Sequence, residues 1–139
     1  MTGGWSSAIA HFRTPPVLTA ETPWRFVAMS DTQVDGGNPN KHREVIEDGI
    51  IDYVQAQYGS DIPTEVAFLI NAGDLVSTGS NHSHWQDHFF AQAEMLLREV
   101  PLYPVLGNHE ANASLYFEYM NLPANGTPGF AEHWYYTDY

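Results

Sequence analysis

Val66-Ala67-Phe68-Leu69-Ile70-Asn71-Ala72-Gly73-Asp74 is an apolar run that stops at a turn ending in a carboxylate. A short run without polar alternation suits a strand covered on both faces, as in a parallel sheet. Upstream, Arg25-Phe26-Val27-Ala28-Met29 stops in the same way at Ser30-Asp31, and downstream Leu102-Tyr103-Pro104-Val105-Leu106 stops at Gly107-Asn108-His109-Glu110. Two helical patterns lie between them. Across 41–58, Ile46, Ile50, Tyr53, Val54 and Gln57 or Tyr58 recur at spacings of three and four, and across 84–100 so do Trp85, Phe89, Ala93, Leu96 and Val100. An interior Gly49 weakens the first helix by about 1 kcal/mol relative to Ala. The order strand, helix, strand, helix, strand predicts an α/β fold in which right-handed crossovers join parallel strands and helices flank the sheet. Further on, Leu115–Met120 predicts a helical turn, and Trp134–Thr137 predicts another strand with its aromatic residues in the core. Residues 1–24, rich in Thr, Pro, Ser and Gly and broken by Pro15-Pro16 and Pro23, read as an extended lead-in or the end of an upstream domain. Residues 25–139 read as the folded domain.

Composition narrows the function. A chain of 139 residues suggests one domain, and a hydrophobic content of 43% supplies its core. Charged residues are 16%, below the roughly 25% of an average domain, which argues against disorder. The formal charge of −12 argues against nucleic acid and anionic membrane as partners, because no basic stripe exists to neutralise phosphates. No apolar run approaches the roughly 20 residues of a membrane span, and Met1–Ser7 lacks the basic and apolar regions of a signal peptide. The absence of cysteine removes disulfides and thiolate metal sites without fixing the compartment. Asn81, Asn112 and Asn125 each open an N-glycosylation triplet, which has meaning only in a secreted eukaryotic protein.

In open parallel sheets, ligands bind beyond the carboxyl ends of the strands. Here those ends carry Asp31 with Gln33, then Asp74, then Asn108 with His109. Carboxylate, amide and imidazole donors together suit hard or borderline divalent cations such as Mn, Zn, Fe(II) or Mg. Gly73 and Gly107 precede the donors, where a missing side chain lets the backbone turn sharply. Plainer readings stand beside this one. Asp74 taken alone is also a turn former, Gln33 a loop amide, and His109 a buried and satisfied imidazole. His84 and His88, four apart on a helix, suit either a metal clamp or, as the more ordinary reading, a solvated helix shoulder.

Asp31-Thr32-Gln33, Gly73-Asp74-Leu75-Val76 and Gly107-Asn108-His109-Glu110 together resemble the calcineurin-like metallophosphoesterases, and within them the purple acid phosphatase-like branch. The family pattern runs Asp-x-His, Gly-Asp, Gly-Asn-His-Glu or Asp, and a later Gly-His-x-His. The resemblance covers 25–139. It implies the β-α-β-α-β half of an α/β/β/α sandwich and metal-dependent hydrolysis of a small phosphoester. The implied cofactors are two divalent ions of the Mn, Zn, Fe or Mg group. By that resemblance Asp31 binds one ion, Asp74 bridges the two, and Asn108 binds the second. His109 acts on the phosphoryl group or the leaving oxygen, and the nucleophile is a metal-bound hydroxide formed near neutral pH.

The chain departs from the pattern at three places. Gln33 stands where the family has a ligating His, and its amide oxygen is a poorer donor to borderline metals. Ser77 stands where the purple acid phosphatases carry a ligating Tyr, so their colour is not expected. No Gly-His-x-His occurs up to Tyr139, so the domain is expected to be truncated at its C-terminus, with an open sheet edge and an uncovered apolar face that favour homo-oligomers. By resemblance, 11–22 is similar to the end of a small β domain preceding the catalytic one, and an extracellular or periplasmic location fits. The alternative function is a catalytically inactive fragment or remnant that acts as a metal-binding or interaction module. A nucleotide-binding α/β domain is disfavoured because no Gly-x-Gly-x-x-Gly loop follows a strand, and a nuclease is disfavoured by charge.

Overall fold

The computed structural model describes residues 9–17, 21, 23–34 and 36–139. Its strands are β1 (Phe26–Met29), β2 (Phe68–Asn71) and β3 (Leu102–Pro104), all parallel, in the order β1-β2-β3. Phe26 pairs with Phe68 and Leu69 with Leu102, so β2 is the central strand. Pro104 closes β3 because it has no N–H to give to the ladder.

The first crossover is helical from α1 (Lys41–Glu44) through a π-type stretch, Val45–Ile51, into α2 (Asp52–Gln57), and a short α3 (Ile62–Glu65) precedes β2. The wider turn changes which side chains face the sheet. Ile46 and Ile51, five apart, are both buried, whereas Tyr53 and Tyr58 are exposed and meet each other edge-on. The α-helical spacing expected to bury Tyr53 is therefore corrected to one that buries Ile51. In the second crossover a π-type stretch, His84–Phe90, runs into α4 (Ala91–Leu97), and here the expected apolar face holds: Trp85, Phe89, Ala93, Leu96 and Val100 are all buried.

Both crossovers lie on one face of the sheet, where Val27, Met29, Leu69 and Leu102 pack against Ile46, Val54, Ala93 and Leu96. Alternation along the strands sends Phe26, Phe68 and Tyr103 to the opposite face, where Trp24 and Tyr139 join them in a set of ring contacts between 4.9 and 5.8 Å. Trp24 and Phe26 remain half exposed there. The α/β class is as expected, a three-strand parallel sheet with flanking helices.

A second cluster beyond the strand ends, Leu75, Val76, Trp85, Phe89, Tyr116 and Met120, seats α5 (Ser114–Tyr119) where a helical turn was expected. The expected strand at 134–137 does not form. Instead the tail closes on itself: Asn125 donates to the Tyr136 carbonyl at 2.8 Å and accepts its N–H at 3.2 Å, taking both bonds a neighbouring strand would use. Trp134 stacks on Phe130 at 4.7 Å and, with Tyr136, stays exposed rather than core. Of the expected lead-in, residues 1–8, 18–20 and 22 lie outside the described residues. The described remainder before β1, including 11–17, has no regular structure.

Candidate metal centre

All three strands deliver their loops to one edge, and backbone hydrogen bonds sew those loops together. After β1 the Asp31 N–H donates to the Gly73 carbonyl and the Gln33 N–H to the Asp74 carbonyl, each at 3.1 Å. The β1–β2 pairing thus continues past the strands and carries Asp31 alongside Asp74. Asp31 and Asp74 both take left-handed backbone angles, φ +54° and +52°, which a short polar side chain tolerates better than a branched one. Ser30 Oγ donates to Asp31 Oδ2.

The second and third loops touch backbone to backbone. A Cβ on Gly73, which sits at φ +105°, would stand 2.7 Å from Gly107 Cα, and one on Gly107 would stand 2.2 Å from Asp74 Oδ1. Only glycine allows that approach. Across this contact the His109 N–H donates to Asp74 Oδ1 at 2.9 Å.

Glu110 holds the assembly from beneath. It is fully buried, and its carboxylate accepts the N–H of Asp74 at 2.9 Å, Val76 at 3.1 Å and Gly107 at 2.7 Å. Buried Asn71 adds a second tie, accepting the Gly73 N–H at 3.1 Å and donating to Thr32 Oγ1 at 3.3 Å. Sequence reasoning gave neither residue a role. The available signals were a carboxylate following Gly-Asn-His and an amide ending an apolar run.

The expected donors meet different fates at this edge. Asp31, Asp74 and the Asn108-His109 turn are brought together by the bonds just described. Asn108 is exposed, with no hydrogen bond to a described residue. His109 is half-buried, with Nδ1 3.0 Å from the Ser77 carbonyl; an N–H there donates and leaves Nε2 as the free nitrogen. That bond raises the His109 pKa above its ordinary value, desolvation opposes it, and the charges of Asp74, Glu110 and Asp31 add to the rise. Ser77 also donates to the Val34 carbonyl at 2.7 Å and so ties two loops together.

Gln33 is half-buried, and its Oε1 is sequestered without a hydrogen-bond partner. A buried amide oxygen left alone costs about 1–3 kcal/mol, and a cation held by neighbouring Asp31 would satisfy it. Among the described residues no three His, Asp or Glu side chains form a metal-binding group. The donors at this edge are two carboxylates, two amides and an imidazole, an oxygen-rich set that fits hard divalent ions.

His84 and His88 form a pair of their own on the second crossover. Their rings stack at 4.8 Å with both Nδ1 atoms buried and unpartnered, so the pair is half-buried rather than a solvated shoulder. Beside Asp31 and Gln33 a cavity of about 400 Å³ opens between the β1 exit loop and α1.

A parallel sheet whose strand ends gather carboxylates, amides and an imidazole at one edge defines an α/β domain with a polar ligand-binding edge beyond its strands. A family model for calcineurin-like phosphoesterases matches residues 25–138, and the chain belongs to that family. Searches of curated proteins and of solved structures found no match. The family's general chemistry is metal-dependent phosphoester hydrolysis with divalent ions.

Proposed function

We propose that this chain carries the metal-binding edge of a phosphoesterase of the purple acid phosphatase-like branch, acting at a dinuclear site. The observation that carries the reading is the sewing of the Asp31, Asp74 and Gly107–Glu110 loops into one backbone-bonded edge beside the unpartnered Gln33 oxygen. Asp31 and Gln33 would hold one ion, Asp74 would bridge, and Asn108 would hold the second. Divalent cations there supply charge for the phosphoryl oxygens and lower the pKa of a water nucleophile.

The chain's own residues do the rest. Glu110 fixes the Asp74 backbone, so the carboxylate keeps one position, and Asp74 in turn accepts the His109 N–H. With Nδ1 committed to the Ser77 carbonyl, His109 Nε2 is free to hold a proton for a phosphoryl or leaving oxygen. Ser77 in the tyrosine position makes the expected protein colourless.

The test is metal content of protein purified without chelator, together with turnover of p-nitrophenyl phosphate and its bis ester. About two ions per chain and turnover abolished by Asp74→Asn support the reading. One specific observation favours a second reading, a non-catalytic metal-binding or interaction module: among the described residues no three charged or imidazole donors form a group. Folded protein that turns over neither ester would support that module instead, as a metal-binding one if it takes up manganese or zinc and as an interaction module if it takes up neither.

A further inference from the structure

The segment from Ser77 to Gly79 grips His109 at two points. The Ser77 carbonyl lies 3.0 Å from its Nδ1, and the Gly79 N–H donates to its carbonyl at 3.0 Å. One grip is on the ring and the other on the backbone of the same residue, so together they fix where His109 sits and how its imidazole turns. The approach is close. A Cβ on Gly79 would stand 2.3 Å from the Glu110 carbonyl oxygen and 2.6 Å from Glu110 Cα, so the two backbones meet with no side chain between them. The segment is anchored from its other side as well. Trp85 is fully buried, and its indole Nε1–H donates to the Gly79 carbonyl at 2.8 Å. Gly79 thus gives its N–H to His109 and its carbonyl to Trp85. The neighbours of Trp85 in this cluster include Leu75, Val76, Phe89 and Met120, which contribute apolar bulk alone. Bulk would explain a large apolar residue at position 85, but the bond to Gly79 requires an N–H.

We propose that Trp85 is a positioning residue for His109: acting through Gly79, its indole N–H holds the Ser77–Gly79 segment against the Gly107–Glu110 loop and so keeps the imidazole proton on Nδ1. Neutral imidazole in water favours the opposite tautomer, with the proton on Nε2. The Ser77 carbonyl reverses that preference only while it stays within reach of Nδ1. Trp85 belongs to the second crossover, so a helix packed on the sheet determines which nitrogen of a loop histidine is bare. That nitrogen is Nε2, which then takes up or gives a proton at a fixed place. The inference rests on the phosphoesterase reading for what Nε2 does to a substrate, whereas the tautomer is a property of the chain that needs neither substrate nor metal.

The experiment follows from that independence. Ring nitrogen signals of His109, assigned with His109→Gln, are recorded by nitrogen NMR in excess EDTA at about pH 9, where a neutral imidazole is observed. The unaltered chain is expected to show Nδ1 protonated and Nε2 bare. Trp85→Phe keeps an aromatic ring in the core and deletes the N–H, and it should shift the population toward the Nε2–H form. Benzothienylalanine at position 85 replaces the N–H by sulfur at nearly the same shape, and it serves if Trp85→Phe does not fold. Met120→Ala opens a cavity in the same cluster and is the control: it should lower the melting temperature and leave the tautomer unchanged. With manganese and p-nitrophenyl phosphate, the change at Trp85 should lower kcat about threefold to tenfold and leave KM unchanged. Nε2–H in the unaltered chain, an unshifted tautomer or an unchanged kcat after the loss of the indole N–H, or an equal shift in Met120→Ala overturns the proposal. A chain that cleaves no ester sinks the phosphoesterase reading alone, and the tautomer still decides the role of Trp85.

Discussion

Replacing Glu110 by Gln keeps the shape of the side chain and removes its charge, which isolates what the buried carboxylate does. Oε2 accepts from Asp74 and Gly107, and Oε1 accepts from Val76. An amide can present its oxygen only once, so the better placement keeps the two bonds at the Oε2 position and turns an NH2 toward the Val76 N–H. One charge-assisted bond of about 1.5–3 kcal/mol is lost, and the two survivors fall to roughly half their strength. The amide is cheaper to bury than the carboxylate, which returns part of the loss. The net expectation is a destabilisation of about 3 kcal/mol. Urea unfolding should then show a midpoint lower by about 1.5–2 M with an unchanged slope. The exposed Glu118→Gln on α5 is the control and should stay within about 0.5 kcal/mol. A shift for Glu110→Gln no larger than that control would mean that the three N–H bonds do not hold the loops, and the account of the edge given above would be wrong.

Four further outcomes are expected. Gly73→Ala adds a Cβ 2.7 Å from Gly107 Cα at φ +105° and should cost about 2–4 kcal/mol, whereas Gly129→Ala, at φ +87° with open space around it, should cost only about 1 kcal/mol. Similar losses in urea unfolding would refute the backbone contact as the cause. Stability should fall as pH drops below about 6.5, because the unfolded chain takes up protons that His42, lowered by burial, and His84, lowered by desolvation and the charge of His88, resist in the fold. His109 works in the other sense, with stability present below about 6.5 and lost as pH rises through its raised folded pKa. His42→Phe should flatten the acid-side slope, and an unchanged slope would locate the effect elsewhere. In a spectrophotometric titration Tyr135, pushed up to about 12 mainly by burial, and Tyr116, raised further in the same direction, should ionise after the exposed tyrosines. Finally, Tyr135→Phe deletes the bond from its hydroxyl to the Pro104 carbonyl at 3.0 Å and should cost about 1 kcal/mol by thermal melt.

Much of this was legible in the residues because parallel strands announce themselves. Phe68–Asn71 reads as buried because it has no polar alternation, and the turn after it is marked by Gly73 and Asp74. The second crossover was equally plain, since Trp85, Phe89, Ala93, Leu96 and Val100 keep one face of an ordinary helix. The first was not, because a wider turn exchanges Tyr53 for Ile51, and local spacing cannot report a turn width set by tertiary packing. The tail was misread for a related reason. Its aromatic residues have strand propensity, but Asn125 takes the backbone bonds of Tyr136 before any strand can. At the edge, motif and topology point to the loops that the backbone joins, whereas the hydrogen bonds by which Glu110 and Asn71 join them depend on what surrounds those residues in space.

The pairing of Phe26 with Phe68 and of Leu69 with Leu102 has a kinetic consequence. Each ladder forms only after an entire crossover has been brought back onto the sheet, so the chain must close long loops before those contacts reward it. The bonds from Asp31 to Gly73 and from His109 to Asp74 lie at the far ends of those ladders, so they come last. A refolding experiment should therefore recover helical circular dichroism well before it recovers any property that depends on the edge. A newly made chain would spend that interval with its donors on separate, unjoined loops.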